Sequence, residues 1–332
     1  MRRAACALAV IAAVVLCAPA ADAYLKLGTQ LGDRLVTLKW EQFPIRYFVA
    51  DRGVPDVSPD QARQAIGRAF ATWDAVQSAT VSSQFVGFTQ ASPLDDDGMT
   101  VLGFENQPDL DRVLGATTFT VDIVSGEIVE SDIFFNSAFA WSVAPDGVPG
   151  RFDLESIALH EIGHLHGLGH SALGETEQRS GGRRVLAAES VMFPIAFSAG
   201  STNDRTLRED DIAGISDIYS APVFHTSTGS ISGRVTQNGR GVMGAHVVAF
   251  DPATGALVGG FTLDQDGTFV IAGLEPGPHV VRVEPLDDAD IESFFDVSQN
   301  IDTSFRPAFY SSLVVVPPGG TASGVNIAVV SK

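Results

Sequence analysis

Four of the chain's seven histidines fall within eleven residues: His160-Glu161-Ile162-Gly163-His164-Leu165-His166-Gly167-Leu168-Gly169-His170. The spacing HExxHxxGxxH dictates local structure. His160 and His164 are four apart, so on an α-helix they share a face and can chelate one ion. Gly167 tolerates positive φ and can end that helix sharply. The turn lets His170 swing back as a third donor. Three neutral imidazoles leave the fourth position of a tetrahedral zinc open to water, the arrangement of a catalytic site. Glu161, beside the first donor, can face that water as general base and later return the proton to a leaving amine. His166 lies two residues past His164 and should point away from the metal, as a structural group.

A helix, a turn and a returning segment must therefore meet at one point. The 332 residues available suggest roughly two domains. Lys plus Arg number 21 against 40 Asp plus Glu, a net charge of -19. Such a chain lacks the basic footprint of a nucleic-acid binder, and an anionic membrane surface would repel it. The acidic balance favours solubility and divalent cations. Residues 1–23 read as a secretory signal peptide, with Arg2 and Arg3, an apolar stretch from Ala4 to Ala18, and the small-x-small site Ala21-Asp22-Ala23. The mature chain is then expected to begin at Tyr24 and to be extracellular. Both cysteines, Cys6 and Cys17, lie in that leader. Leu16 is bulkier than a lipoprotein signal wants before Cys17. An exported chain without disulfides must draw its stability from its cores, with metal ions as a further source open to it. No later apolar run reaches membrane-spanning length.

Texture divides the rest. Residues 24–222 mix helical and strand patterns, 223–228 lie in a Pro/Ser/Thr-rich join, and 229–332 show short alternating strands with Gly, Pro and Asp turns. Three helices are expected in the first part. One opens at Ser58-Pro59-Asp60-Gln61 as a capping box with proline at the first helical position. It presents Ala62, Ile66, Ala69, Phe70 and Trp73 on one face. The second follows Asp153 and runs to about Gly167. The third opens at Thr206-Leu207-Arg208-Glu209, read as another capping box, with Ile212, Ile215, Ile218 and Tyr219 on one side. Strands are expected at 45–50, 81–88, 113–120 and 127–136. Mixed order argues for an α/β or α+β domain.

These residues carry a resemblance. The zinc-binding pattern, followed by Ser190-Val191-Met192-Phe193-Pro194, resembles the metzincin metalloproteases, whose motif precedes a methionine turn. Met192 would then place its thioether under the imidazoles as a packing floor. Within the metzincins the chain is most similar to the matrixins, the matrix metalloprotease branch. Ser171 directly after His170, Met192-Phe193-Pro194, the helix Leu207–Ile215 and the segment Ala65–Trp73 all fit that branch. The resemblance implies an α+β fold: a twisted five-stranded sheet with three helices, and a peptide bound in a cleft over one catalytic zinc. Substrate would pair with an edge strand at Val113–Thr118, with Leu114, Gly115 and Ala116 in the cleft. Val191, Phe193 and Pro194 would wall the pocket past the scissile bond.

There are departures. Matrixins usually carry a structural zinc, yet no histidine lies between Tyr24 and Leu159, and Phe134 stands where the family often has such a ligand. Asp132 is a calcium candidate, weighed against a surface acid. Asp95-Asp96-Asp97-Gly98 reads as a solvated turn. The family's cysteine latch has no counterpart after residue 23. The segment Ala172–Glu189 is a longer loop than expected, read as a solvated insertion. No tyrosine closely follows Met192, so no tyrosine ligand is expected.

Residues 229–332 resemble the carboxypeptidase regulatory-like, transthyretin-type β-sandwich. His246 and His279 are read there as packing or surface residues, Asp287-Asp288-Ala289-Asp290 as a solvated loop, and 287–310 as an insertion before a last strand near 325–330. This module has no catalytic motif and could bind substrate or a cell surface. The expectation is a secreted zinc endopeptidase acting on protein or peptide substrates. The alternative is a secreted adhesion or binding protein on the same scaffold.

Overall fold

Ser58 begins the first helix as the spacing predicts. Its hydroxyl accepts the Gln61 N–H, and the Gln61 side chain accepts the Ser58 N–H at 2.9 Å. The computed structural model describes residues 25–31, 34–180, 182–295, 299 and 301–332. The expected leader, 1–23, lies outside these residues. A hairpin of β1 (Gly28–Leu31) and β2 (Arg34–Thr37) precedes β3 (Ile45–Ala50) and α1 (Pro59–Asp74). Then come β4 (Ser83–Thr89), β5 (Thr100–Glu105), β6 (Gly115–Val121) and β7 (Ile128–Asn136).

The five-stranded sheet has the order β4-β3-β5-β7-β6. Four strands run parallel, and β6 pairs antiparallel to β7, with Ala116 opposite Phe134 and Thr118 opposite Asp132. The strand between β3 and β7, Thr100–Glu105, was not among those expected. All but its last residue are buried, so it lacks the alternation that marks a half-exposed strand. Gly103 is required there, because a Cβ would lie 2.4 Å from that of Ala50.

After the short strands β8 (Trp141–Ser142) and β9 (Phe152–Asp153), Asp153 caps α2 (Leu154–Leu165) through the Ser156 N–H at 2.9 Å. Leu154, Ala158, Leu159, Ile162 and Leu165 are buried on this helix, each large one worth about 1.5–3 kcal/mol. The helix packs against α1, where the Trp73 indole N–H donates to the Leu159 carbonyl at 2.9 Å.

Two expectations are corrected here. Residues 172–189 are not a plain solvated loop. They form a β-hairpin of β10 (Gly174–Arg179) and β11 (Gly182–Ala188). The third helix, α3 (Glu209–Ile218), is capped at Arg208 rather than Thr206, and the Asp211 carboxylate accepts the Arg208 N–H at 2.8 Å. Ile215 is buried, but Ile212 faces solvent. The join holds one helical turn, α4 (Phe224–Ser227), with Phe224 buried.

The C-terminal part is a two-sheet β-sandwich. One sheet contains β12 (Gly229–Gln237), β13 (Arg240–Gly241), β16 (Thr268–Leu274) and β20 (Thr321–Val329). The other contains β14 (His246–Phe250), β15 (Leu257–Phe261), β17 (Gly277–Glu284), β18 (Ala308–Phe309) and β19 (Val314–Val316). Their inner faces share an apolar core that includes Val235, Val247, Phe269, Ile271, Val283, Phe305 and Ile327, and Ala213 of α3 packs into it. His246 and His279 are both buried. Within 287–310 lie a 3₁₀ turn, Ile291–Ser293, and β18. Leu286, Ala289 and Phe295 are buried, so the acidic run beside them is not a free solvated loop. Among the described residues no helix is long and apolar enough to cross a membrane.

Candidate active site

The C-terminal half of α2 carries His160 and His164 on one face, and Gly167, at φ +94°, turns the chain toward His170. A side chain at 167 would also strike the Leu38 carbonyl, 2.3 Å from the Cβ position. One nitrogen from each of His160, His164 and His170 lies within 4.8 Å of the others.

The tautomers follow from the partners. The Nδ1–H of His160 donates to the Val191 carbonyl at 2.7 Å, that of His164 to the Leu168 carbonyl at 2.8 Å, and that of His170 to the Ser293 carbonyl at 2.6 Å. A carbonyl can only accept, so each Nδ1 carries the proton and each Nε2 keeps a lone pair. The Nε2 atoms of His164 and His170 are 3.2 Å apart. Two such lone pairs repel unless a cation lies between them. Roughly 3.3 Å is the spacing expected of two nitrogens on tetrahedral zinc with bonds near 2.05 Å. The donor set therefore fits zinc. Burial lowers the proton affinity of all three, to about 4 for His170, keeping them neutral.

Glu161, the residue after His160 on α2, is buried. Burial pushes its carboxyl up to about 7, against the lowering effect of the Thr117 hydroxyl, which donates to Oε2 at 2.8 Å. The same hydroxyl lies 3.0 Å from the Glu161 carbonyl. A Cβ at Gly115 would crowd the Phe134 carbonyl at 3.1 Å and Glu161 Oε1 at 3.2 Å, so the glycine leaves room for the carboxylate on this strand. β6 is a sheet edge and half-exposed over Gly115–Thr117, with Leu114 half-buried before it.

Met192 is buried below α2, and its sulfur lies 2.2 Å from where a Cβ on Gly163 would stand. Asp211 of α3 holds the turn Ser190–Met192: it accepts the Ser190 hydroxyl at 2.6 Å and the Val191 N–H at 3.0 Å. Val191 and Phe193 are buried, and Phe193 packs under Gly174 of the hairpin; Pro194 is half-buried. His166 points away from the donor cluster, buried between Trp73 and Tyr219. Burial drives its proton affinity down to about 3. Sequence reasoning missed Thr117, Asp211 as the clamp of the turn Ser190–Met192, and Ser293. Their roles depend on contacts that sequence spacing does not carry.

Asp132 is not a surface acid. It is buried and accepts the Val101 N–H at 2.7 Å, and burial pushes it up to about 7. Neighbouring Glu130 accepts the Asp97 and Gly98 N–H groups at 3.3 and 3.0 Å.

A mostly parallel sheet with one antiparallel edge strand, a motif helix and three converging imidazoles define a metzincin-type metalloprotease domain. The family model for Matrixin matches residues 39–220, and that for the Carboxypeptidase regulatory-like domain matches 230–297. The chain belongs to the matrixin family, a family of zinc metalloendopeptidases. It is 29% identical to Metalloendoproteinase 2-MMP of Arabidopsis thaliana over 181 residues, 51% of this chain and 40% of that protein. Identity to Metalloendoproteinase 1 of Glycine max is 29% over 175 residues, 48% and 46% of the two chains. Stromelysin-1 of Mus musculus is 26% identical over 185 residues, 55% and 33%. The matched segment thus spans less than half the length of each of these relatives.

Proposed function

We propose that this chain is a secreted zinc endopeptidase that hydrolyses peptide bonds in extracellular proteins. His160, His164 and His170 are its zinc ligands, and Glu161 is its general base. In this reading residues 24–222 are the peptidase domain, 223–228 the link and 229–332 the accessory sandwich. One observation carries it: three imidazoles, each held through Nδ1 by a backbone carbonyl, bring one donor nitrogen apiece within 4.8 Å of the others.

Zinc bound there supplies Lewis-acid polarisation of a carbonyl and a water acidified toward neutrality. The remaining work belongs to the chain. Glu161 takes a proton from the attacking water at a carboxylate oxygen and passes it to the leaving amine. Thr117 holds the Glu161 carboxylate in place. An extended peptide adds to the free edge of β6 at Leu114, Gly115 and Ala116, where main-chain pairing demands little of its sequence. Val191 and Pro194 border the pocket beyond the scissile bond, and Phe193 supports it from beneath the hairpin.

The test is cleavage of unfolded casein and a mixed peptide library by zinc-loaded residues 24–332, beside Glu161→Ala. Wild type should cut, a chelator should stop it, and the variant should bind zinc but lose about 10²–10⁴-fold in rate. If zinc binds stoichiometrically and neither protein cuts any substrate, the binding-protein alternative replaces this reading.

A further inference from the structure

The third donor is oriented by a different domain from the other two. His160 and His164 lean on carbonyls of the matrixin part, Val191 and Leu168. His170 leans on Ser293, 123 residues away in the sandwich. That carbonyl is itself held. Ser293 ends a 3₁₀ turn in which the Ser293 N–H donates to Asp290 and the Phe294 N–H to Ile291, both at 2.9 Å. The Phe294 ring stands edge-on to His170 at 6.4 Å and against Phe261 at 5.8 Å.

The segment just before the turn is anchored by both strands of one hairpin. Thr176 of the β10–β11 hairpin gives its N–H to the Asp288 carboxylate and its hydroxyl to the Asp288 carbonyl, both at 2.7 Å. Arg183 donates to the Asp287 carbonyl at 2.9 Å. Nearby, the Gly259 N–H of β15 donates at 2.8 Å to Asp210, which also accepts the Ser171 hydroxyl at 2.6 Å, one residue past His170. Leu25 and Ala172 of the matrixin part pack on the Phe261, Leu286 and Phe295 cluster.

We propose that the β-sandwich is a working part of the metal centre: its Ser293 carbonyl is the positioning group that fixes the tautomer and aim of His170. The hairpin 174–188 clamps the turn that carries it. This rests on His170 being a zinc ligand, as proposed above. Its consequence is that the accessory module sets metal affinity, beyond any part it plays in binding substrate.

Phe294→Pro in the full chain tests this. The residue before proline is pushed out of the α region, so the Ser293 carbonyl must turn away. Phe294→Leu keeps the backbone free and an apolar side chain. The readouts are zinc affinity by chelator competition and the visible spectrum of the cobalt-substituted protein. Loss of an orienting partner costs about 10–100-fold in metal affinity. Phe294→Pro should show that loss and an altered cobalt spectrum, while Phe294→Leu stays within about threefold of wild type. A folded Phe294→Pro with wild-type affinity and spectrum overturns the proposal. If that variant does not fold, Thr176→Val with Arg183→Ala decides instead. Releasing the clamp should weaken zinc several-fold, and unchanged affinity refutes it. His170→Ala separates the two readings. If it binds zinc as wild type does, the ligand assignment itself is wrong; if it alone loses zinc, only the positioning role fails.

Discussion

Gly163 lies inside α2, where alanine would ordinarily stabilise by about 1 kcal/mol. Here the opposite is expected. A Cβ at 163 would stand 2.2 Å from Met192 Sδ, 3.1 Å from its Cε and 3.0 Å from Trp73 Cζ2. Trp73 is fully buried with its indole N–H committed to Leu159, so it cannot retreat. Met192 is 2% exposed and must give way instead. Overpacking of a filled core costs about 1–3 kcal/mol. With contacts this close the upper half of that range applies, and after the propensity gain Gly163→Ala should lose about 1–2 kcal/mol. Urea unfolding of the metal-free protein measures this as a lower midpoint at constant slope. Met192→Ala alone should cost about 2–5 kcal/mol. The double variant should be less destabilised than the sum, by about 1 kcal/mol or more, because each change relieves the other. A Gly163→Ala protein as stable as wild type, or strict additivity, would refute the view that sulfur and helix are packed to contact.

Three further outcomes are expected. Thr117→Val removes the hydroxyl that holds the Glu161 carboxylate; kcat should fall about tenfold or more with zinc affinity unchanged, and equal kcat in steady-state assays would remove Thr117 from the mechanism. Asp132 has its folded proton affinity raised by burial to about 7, against about 3.9 in an unfolded chain. Between those values the folded state holds more protons, so its contribution is intact below about pH 4 and lost as pH rises through 7. Asp132→Asn should therefore match wild type near pH 4 and be more stable at pH 8 by about 1–2 kcal/mol after solvent screening; a variant less stable at pH 8 only when calcium is present would instead show a bound cation. Arg205 pairs with buried Asp153 and donates to the carbonyls of Ala144 and Pro145. Arg205→Met should cost about 1–3 kcal/mol, as charge-assisted hydrogen bonds are lost while Asp153 keeps the Ser156 N–H, and a thermal midpoint within a degree of wild type would contradict that.

Much of this was legible in residue order, because it depends on local rules. Ser58 to Gln61 and Asp153 to Ser156 are caps closed over three residues, and the structure makes both. The four-residue step from His160 to His164 and the positive φ at Gly167 are equally local. Residue order falls silent where a neighbour far along the chain decides. Thr100–Glu105 has the composition of a strand but, buried on both faces, no alternation to announce it. Residues 172–189 looked solvated because their charges are real; what orders them is the sandwich they dock on. The cap of α3 moved to Arg208 because Asp211 serves it while also holding the turn Ser190–Met192.

The sequence by itself determined the kind of site, since helical periodicity and a glycine turn bring three imidazoles together, with a carboxylate next in sequence to the first of them. Only the tertiary structure decided how that site is tuned. The Leu168 carbonyl that orients His164 is local, but the proton affinity of Glu161, the tautomers of His160 and His170 and the reach of the sandwich to His170 come from burial and from carbonyls contributed by distant segments. Those are properties of space, and sequence separation, 123 residues between His170 and Ser293, carries no trace of them.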